Sequence, residues 1–231
     1  MRSSAKRLGR DVDVGQLHWA PPLGWQEQAY WAGLAELYQR GEIKAIGLSN
    51  YGPRQLRRAH RALAETHGVP LASNQVQFSL VSPLPVTSGL VDVAPELGVR
   101  LIAYSPLGLG LLTGRYSEAR LPEGPRRLLF KELLPAVRPV LEAMGEIQAA
   151  RNKGKMPAGG GAGGGVTFSQ IAINWTRAKG AVPIVGLKTV AQAEDNLGAL
   201  NWALTKAEEE LLDGAMARLK KTTVQNIFQT S

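Results

Sequence analysis

The residues of this chain that could do chemistry stand at the ends of five short apolar runs. His18 and Trp19 close VDVGQLHW, Ser49 and Asn50 close IKAIGLSN, and Gln75 lies in LASNQVQF. Tyr104 and Ser105 lie in RLIAYSPL, and Lys188 follows AVPIVGL. An imidazole can orient a carbonyl or exchange a proton. Hydroxyls and primary amides offer paired donors and acceptors, and an ammonium meets an anion. Any one of these residues alone reads as the polar end of a buried strand, and a lone histidine reads as structural. Five such ends in one chain form a pattern.

The elements that must position them alternate. QEQAYWAGLAELYQRG predicts a helix with Tyr30, Leu34, Leu37 and Tyr38 on its apolar side, closing at Gly41. PRQLRRAHRALAETHG opens on a proline suited to a first helical turn and ends at Gly68. TFSQIAINWTRAKG is a further helix, and Thr189 and Thr205 are N-cap candidates for two more. Strand, helix, strand, helix in strict order predicts a parallel sheet with helical crossovers, an α/β fold. In (β/α) barrels the active site is built at the carboxyl ends of the strands, where these polar residues gather.

Composition narrows the class. A chain of 231 residues, 44 % hydrophobic, can bury one sizeable core and predicts a single domain. There is no cysteine, which removes disulfides and thiolate chemistry, and no metal site is expected. No apolar run reaches membrane-spanning length, and MRSSAKRLGRD has no apolar signal-like core. The net charge of +8 would suit an anionic partner. Arg54, Arg57, Arg58 and Arg61 share a helix face, read as a solvated surface with Leu56, Ala59 and Leu63 turned inward. No aromatic interleaving accompanies them, so nucleic acid is not expected as a partner. The Gly-rich stretch over residues 157–166 reads as a flexible insert, because it lacks the Lys-Ser/Thr of a phosphate loop. GLGLLTG likewise fails the dinucleotide fingerprint spacing.

In order, the strand ends resemble the aldo-keto reductase family. QLHW resembles its fourth strand, GEIKAIGLSNYGPRQL the fifth, NQVQFSL the sixth, LIAYSPLGLGLLTGRY the seventh, and PIVGLKTVAQAEDNLGAL the eighth strand and final cofactor loop. The resemblance runs from about Lys6 to about Leu212. It implies an incomplete (β/α)8 TIM barrel lacking roughly the first three strand–helix units, a single partial domain over residues 1–231. It also implies NADP as cofactor and a small-molecule aldehyde or ketone as substrate, with no nucleic acid or membrane partner. Ser49, Asn50 and Gln75 match the carboxamide holders, and Tyr104 matches the aromatic on which the nicotinamide stacks. Ser105, Leu107 and Gly108 match the loop over the pyrophosphate. Lys188 and Thr189 match the 2′-phosphate contact, and Gln192 and Asn196 the residues around the adenine, with Asp195 between them.

His18 is the one matched member of the catalytic set. The family's Asp, general-acid Tyr and Lys belong to the first three strands, and Lys6, Asp11 and Asp13 do not stand in their places. The expectation is therefore an amino-terminally shortened reductase, inactive as this chain: either an incomplete version of a longer protein or a remnant that needs a partner. The alternative is a non-catalytic family member that binds a dinucleotide or serves as an interaction protein. A basic nucleic-acid binder is the third and weakest reading. The compartment stays open between cytoplasm and plastid.

Overall fold

The β-branched and leucine-rich runs form strands. The computed structural model describes residues 2–21, 24–153 and 165–219. Its strands are β1 (Val14–Leu17), β2 (Ala45–Ser49), β3 (Leu71–Gln77), β4 (Arg100–Tyr104) and β5 (Val182–Ile184). They lie in one sheet in the order β1-β2-β3-β4-β5, with β1, β2 and β3 paired in parallel. The helices are α1 (Arg2–Leu8), α2 (Glu27–Gln39), α3 (Pro53–Arg61), α4 (Leu84–Thr87), α5 (Leu90–Glu96), α6 (Arg126–Asn152), α7 (Phe168–Ala178), α8 (Val190–Leu197) and α9 (Lys206–Ala217). The result is an α/β fold with a parallel sheet. Among the described residues no helix is long and apolar enough to cross a membrane.

The described residues divide into two compact units, one from residues 2–76 and 85–102, the other from residues 77–84 and 103–219. In the first, Ile46, Leu48 and Val76 are completely buried strand residues, and Trp31 and Ala35 of α2 and Leu56 and Ala59 of α3 join the same core. The apolar side of α2 differs from the expected one. Trp31, Leu34 and Ala35 face inward while Tyr30 is 49 % exposed. Tyr30 and Trp31 are adjacent, so a helix can bury one of them, and the larger apolar surface of tryptophan goes inside. Gly41 (φ 70°) ends this helix as expected, its N–H donating to Tyr38 O and that of Glu42 to Leu37 O.

The arginine face of α3 is exposed, with Leu56, Ala59 and Leu63 buried beneath it. Its members have partners: Arg61 lies 3.9 Å from the Glu65 carboxylate. Arg57 reaches Glu96 at 2.5 Å, and Arg58 reaches Glu27, a carboxylate only 2 % exposed that also accepts from Gln55. α2 and α3 are therefore joined by a buried charge.

In the second unit α7 is buried along most of its length, with Phe78 edge-on to Trp175 at 5.3 Å. Thr205 caps α9 in a reciprocal box with Glu208, whose carboxylate also takes the Arg151 guanidinium. The 27-residue α6 was not anticipated. Pro135 and Pro139 lie inside it and argue against a helix locally, yet its core stripe (Phe130, Leu133, Leu134, Val137, Val140, Met144, Ile147) holds the helical period through both. Most of the Gly-rich stretch lies outside the described residues. At its end Val166 is pinned by Asn152, whose side-chain amide donates to Val166 O (2.9 Å) and accepts from Val166 N (2.7 Å).

Arg58→Ala strips the charged partner from Glu27 and is expected to lower the unfolding free energy by about 1–3 kcal/mol in denaturant titration. Arg57→Ala, removing an exposed pair, should stay within about 0.5 kcal/mol. Glu208 is held below its ordinary 4.5, chiefly by the Arg151 hydrogen bond. A lowered carboxyl pKa contributes stability above the unfolded value and loses it as pH falls through the folded one. Glu208→Gln keeps the cap but removes the charge, so its unfolding midpoint should fall less than wild type's as pH drops below about 4.5.

Candidate active site

Strand register sorts the first unit's polar residues. Gln16 pairs with Gly47, Gly47 with Ser73, and Ser49 with Gln75. Side chains alternate along a strand, so Gly47 and Ser49 share a face, as do Ser73 and Gln75. A Cβ at Gly47 would lie 2.7 Å from Ser73 Oγ and 3.1 Å from Gln16 Oε1, which shows that all three meet on that face. The opposite face carries the apolar core residues Ile46, Leu48 and Val76. One side of these strands is thus apolar except for Asn74, whose amide is bonded to the Tyr51 main chain, and the other becomes polar toward the carboxyl ends.

The expected residues His18, Ser49, Asn50 and Gln75 come together at those ends. Ser49 Oγ donates to Gln75 O (2.9 Å), and Asn50 Nδ2 donates to Ser49 Oγ (3.1 Å) and His18 O (3.5 Å). The Asn50 main-chain N–H also donates to Gln75 O, at 2.9 Å. Ser49 and Asn50 are each 2 % exposed. Gln75 is half-buried, and its side-chain amide makes no hydrogen bond among the described residues. His18 stands one residue past β1 with its ring exposed and stacked on Trp19, centroids 4.8 Å apart. Tyr51 is fully buried, accepts from Trp31 Nε1 (3.3 Å) and is pushed up to about 12 by burial, so this phenol is not placed to give a proton to a substrate.

In the second unit Tyr104 ends β4, and Ser105, Leu107 and Gly108 form the turn after it. Gly108 N–H donates to Ser105 O at 2.9 Å, while Leu107 O accepts from Gly110 N and Leu112 N. Gly108 is held at φ 56°, and a Cβ there would meet Val81 Cγ2 at 2.6 Å. Lys188, Thr189, Gln192 and Asn196 lie at and along α8. Thr189 Oγ1 accepts from Gln192 N (3.3 Å) as the N-cap, and Gln192 Oε1 accepts from Lys188 N (2.8 Å). The Lys188 side chain is exposed at a helix amino end, where the dipole also favours an anion. Asp195 is engaged elsewhere, accepting from Gln170 through both its main-chain oxygen and its carboxylate.

Backbone strain is the signal that residue types alone did not carry. Among the described residues, non-glycine positive φ occurs at Asn50 (65°), Ser105 (54°) and Leu109 (59°). Two of the three directly follow a sheet strand. Such conformations cost about 1–3 kcal/mol and persist where surrounding contacts enforce them, characteristically at ligand sites. Taken by itself, the first unit offers two neighbouring amides, a donor set that fits a carboxamide. Taken by itself, the second offers an aromatic, a tight glycine turn and a cation at a helix start, a set that fits a phosphorylated group.

Gly108→Ala should lower stability by about 1–3 kcal/mol, since both its φ and Val81 oppose a side chain. Gly33→Ala, in α2 with nothing within 4 Å of the new carbon, should raise it by about 0.5–1 kcal/mol. Thermal unfolding of the two variants against wild type checks both signs.

The chain resembles proteins of one family. Residues 1–217 match the aldo/keto reductase family. The chain is 48 % identical over 234 residues to a chloroplastic pyridoxal reductase of Arabidopsis thaliana, covering 99 % of this chain and 60 % of that protein. It is 30 % identical over 211 residues to an L-glyceraldehyde 3-phosphate reductase of Escherichia coli O157:H7, covering 90 % of this chain and 59 % of the other. The chain thus spans about three-fifths of the length of these curated relatives. Among solved structures, a thermostable aldo-keto reductase superposes with a TM-score of 0.67 at 26 % identity, over 93 % of this chain and 64 % of its own. The glycerol dehydrogenase of Gluconobacter oxydans superposes with 0.74 at 24 % identity, over 99 % and 66 %, a likeness of fold. With the motifs in family order and the match running through nearly all of its length, the chain belongs to the aldo/keto reductase family.

Proposed function

We propose that this chain binds NADP(H) and belongs to an oxidoreductase that interconverts an aldehyde or ketone and its alcohol. One observation carries the reading: the Gln75 amide stands half-exposed and, among the described residues, makes no side-chain hydrogen bond, beside Asn50, whose own amide is braced by Ser49 and His18. A primary carboxamide needs both donors and acceptors in one plane, and two neighbouring amides supply them. Asn50 and Gln75 take the nicotinamide carboxamide, and Ser49, its proton committed to Gln75 O, keeps the pair in register. Tyr104 offers the stacking surface. The Ser105–Leu107–Gly108 turn lies along the pyrophosphate, and Gln192 and Asn196 line the adenine.

NADP is favoured over NAD because Lys188 and the capped start of α8 both attract the extra 2′-phosphate. NADPH, when bound, supplies a hydride to the carbonyl carbon. His18 orients the carbonyl oxygen by hydrogen bonding. The five strands correspond to the fourth through eighth of a (β/α)8 barrel, and no residue of this chain matches the family's Tyr, Lys and Asp. Proton delivery to the alkoxide therefore falls outside these 231 residues, and the chain alone binds the nucleotide without appreciable turnover. Burial of Tyr51 favours that division of labour and keeps a second reading in play, a non-catalytic dinucleotide-binding or interaction protein. Pyridoxal, the aldehyde in the name of the 48 % identical relative, is the first carbonyl to try.

Quenching of the five tryptophans by NADPH should saturate, and NADH should bind more weakly. Lys188→Ala should weaken NADPH about 10- to 100-fold while leaving NADH nearly unchanged. Equal losses for the two would refute the 2′-phosphate assignment. NADPH oxidation with pyridoxal should stay near background for the 231 residues alone. Sustained turnover there would show that a residue of this chain gives the proton.

A further inference from the structure

The proposed function places the 2′-phosphate and the adenine along α8, yet this helix is lightly held: none of its residues is fully buried. The hydrogen bonds it receives from α7 come from Gln170, a first-turn residue of α7 that is 8 % exposed. Gln170 Nε2 donates to Asp195 O (2.9 Å) and Asp195 Oδ1 (3.2 Å), and Gln170 Oε1 accepts from Trp202 Nε1 (3.2 Å). An indole N–H can only donate, so the atom facing it is the amide oxygen, and the NH2 is left to Asp195. Trp202 is itself held, with the Arg151 guanidinium 4.3 Å over its ring and Arg151 paired to Glu208.

Gly198, one residue past α8, shows how closely the two helices meet. Its φ of −54° is ordinary helical backbone, so no conformational demand calls for glycine there. Space does. A Cβ would lie 2.5 Å from Gln170 Nε2 and 3.1 Å from its Cδ. We propose that Gln170 is a positioning residue for the adenosine end of the nucleotide, fixing α8 through Asp195 and with it the places of Lys188, Gln192 and Asn196. It acts through the helix and not by touching the nucleotide. A helix start held in one place keeps the Lys188 ammonium and the capped N–H groups aimed at one point, so less ordering is left to be done on binding. The inference rests on the reading of Lys188 as the 2′-phosphate contact.

The test is isothermal titration calorimetry of the 231-residue chain with NADPH, NADH and adenosine 2′,5′-bisphosphate, run below each variant's melting temperature. Gln170→Leu should weaken NADPH and the bisphosphate by the same factor, about three- to tenfold, and NADH by less, which narrows the preference for NADPH. Gly198→Ala removes no polar group but crowds the amide, and should narrow the preference in the same direction. In a Gln170→Ala chain, where that space is open, adding Gly198→Ala should cost nothing more. Should Gln170→Leu not fold, Gly198→Ala decides alone. A lowered melting temperature with the NADPH-to-NADH preference unchanged would mark the contact as structural only and overturn the inference by itself. Wild type that shows no preference for NADPH over NADH would overturn the Lys188 reading and the inference with it.

Discussion

At Asn50 the chain leaves β2 with φ 65°, and the ends of β1, β2 and β3 all depend on that residue. Its main-chain N–H reaches Gln75 O, and its side-chain amide reaches Ser49 Oγ and His18 O. Asparagine accepts the left-handed region more readily than other residues with a Cβ, and the hydrogen bonds offset the cost. The turn also sends Tyr51 inward, where its main chain exchanges hydrogen bonds with the Asn74 side chain and its ring closes over the core under Trp31. One residue thus joins the apolar and polar sides of the sheet.

That division explains how the unit can be both stable and receptive. Ile46, Leu48 and Val76 on the apolar side are completely buried, and their area removed from water supplies the driving force. The polar side can then hold Gly47, the Gln75 amide and Ser73, whose buried hydroxyl has no hydrogen-bond partner among the described residues. Strain at Ser105 repeats the same logic after β4, where the tight Gly108 turn lies against Val81. In both units a left-handed residue directly follows a strand, Asn50 after β2 and Ser105 after β4.

Much of this was legible in the sequence because the runs were short, apolar and regularly spaced. All five strands fall within the runs that announced them, and Thr189 and Thr205 cap the helices they were expected to start. The illegible parts have physical causes. In α6 two prolines mask a helix that tertiary burial of one stripe stabilises regardless. Tyr30 and Trp31 competed for one inward position, and sequence spacing alone does not rank adjacent aromatics. The polar row beneath the strand ends depends on register, including the shift between Ile46 and Gly47, which strand alternation in a single chain does not reveal. Asn50 and Gln75 were visible as residue types, but the brace between their strands was not.

The claim that the ends of β1, β2 and β3 grip a nicotinamide carboxamide is tested most directly by nuclear magnetic resonance of the side-chain amide groups. Titrating the 15N-labelled chain with NADPH should shift the Gln75 and Asn50 side-chain NH2 resonances together, while those of Gln39 and Asn152, occupied in hydrogen bonds to His67 O and Val166 O, stay still. Saturating NADPH that leaves the Gln75 and Asn50 amides unmoved would contradict the account.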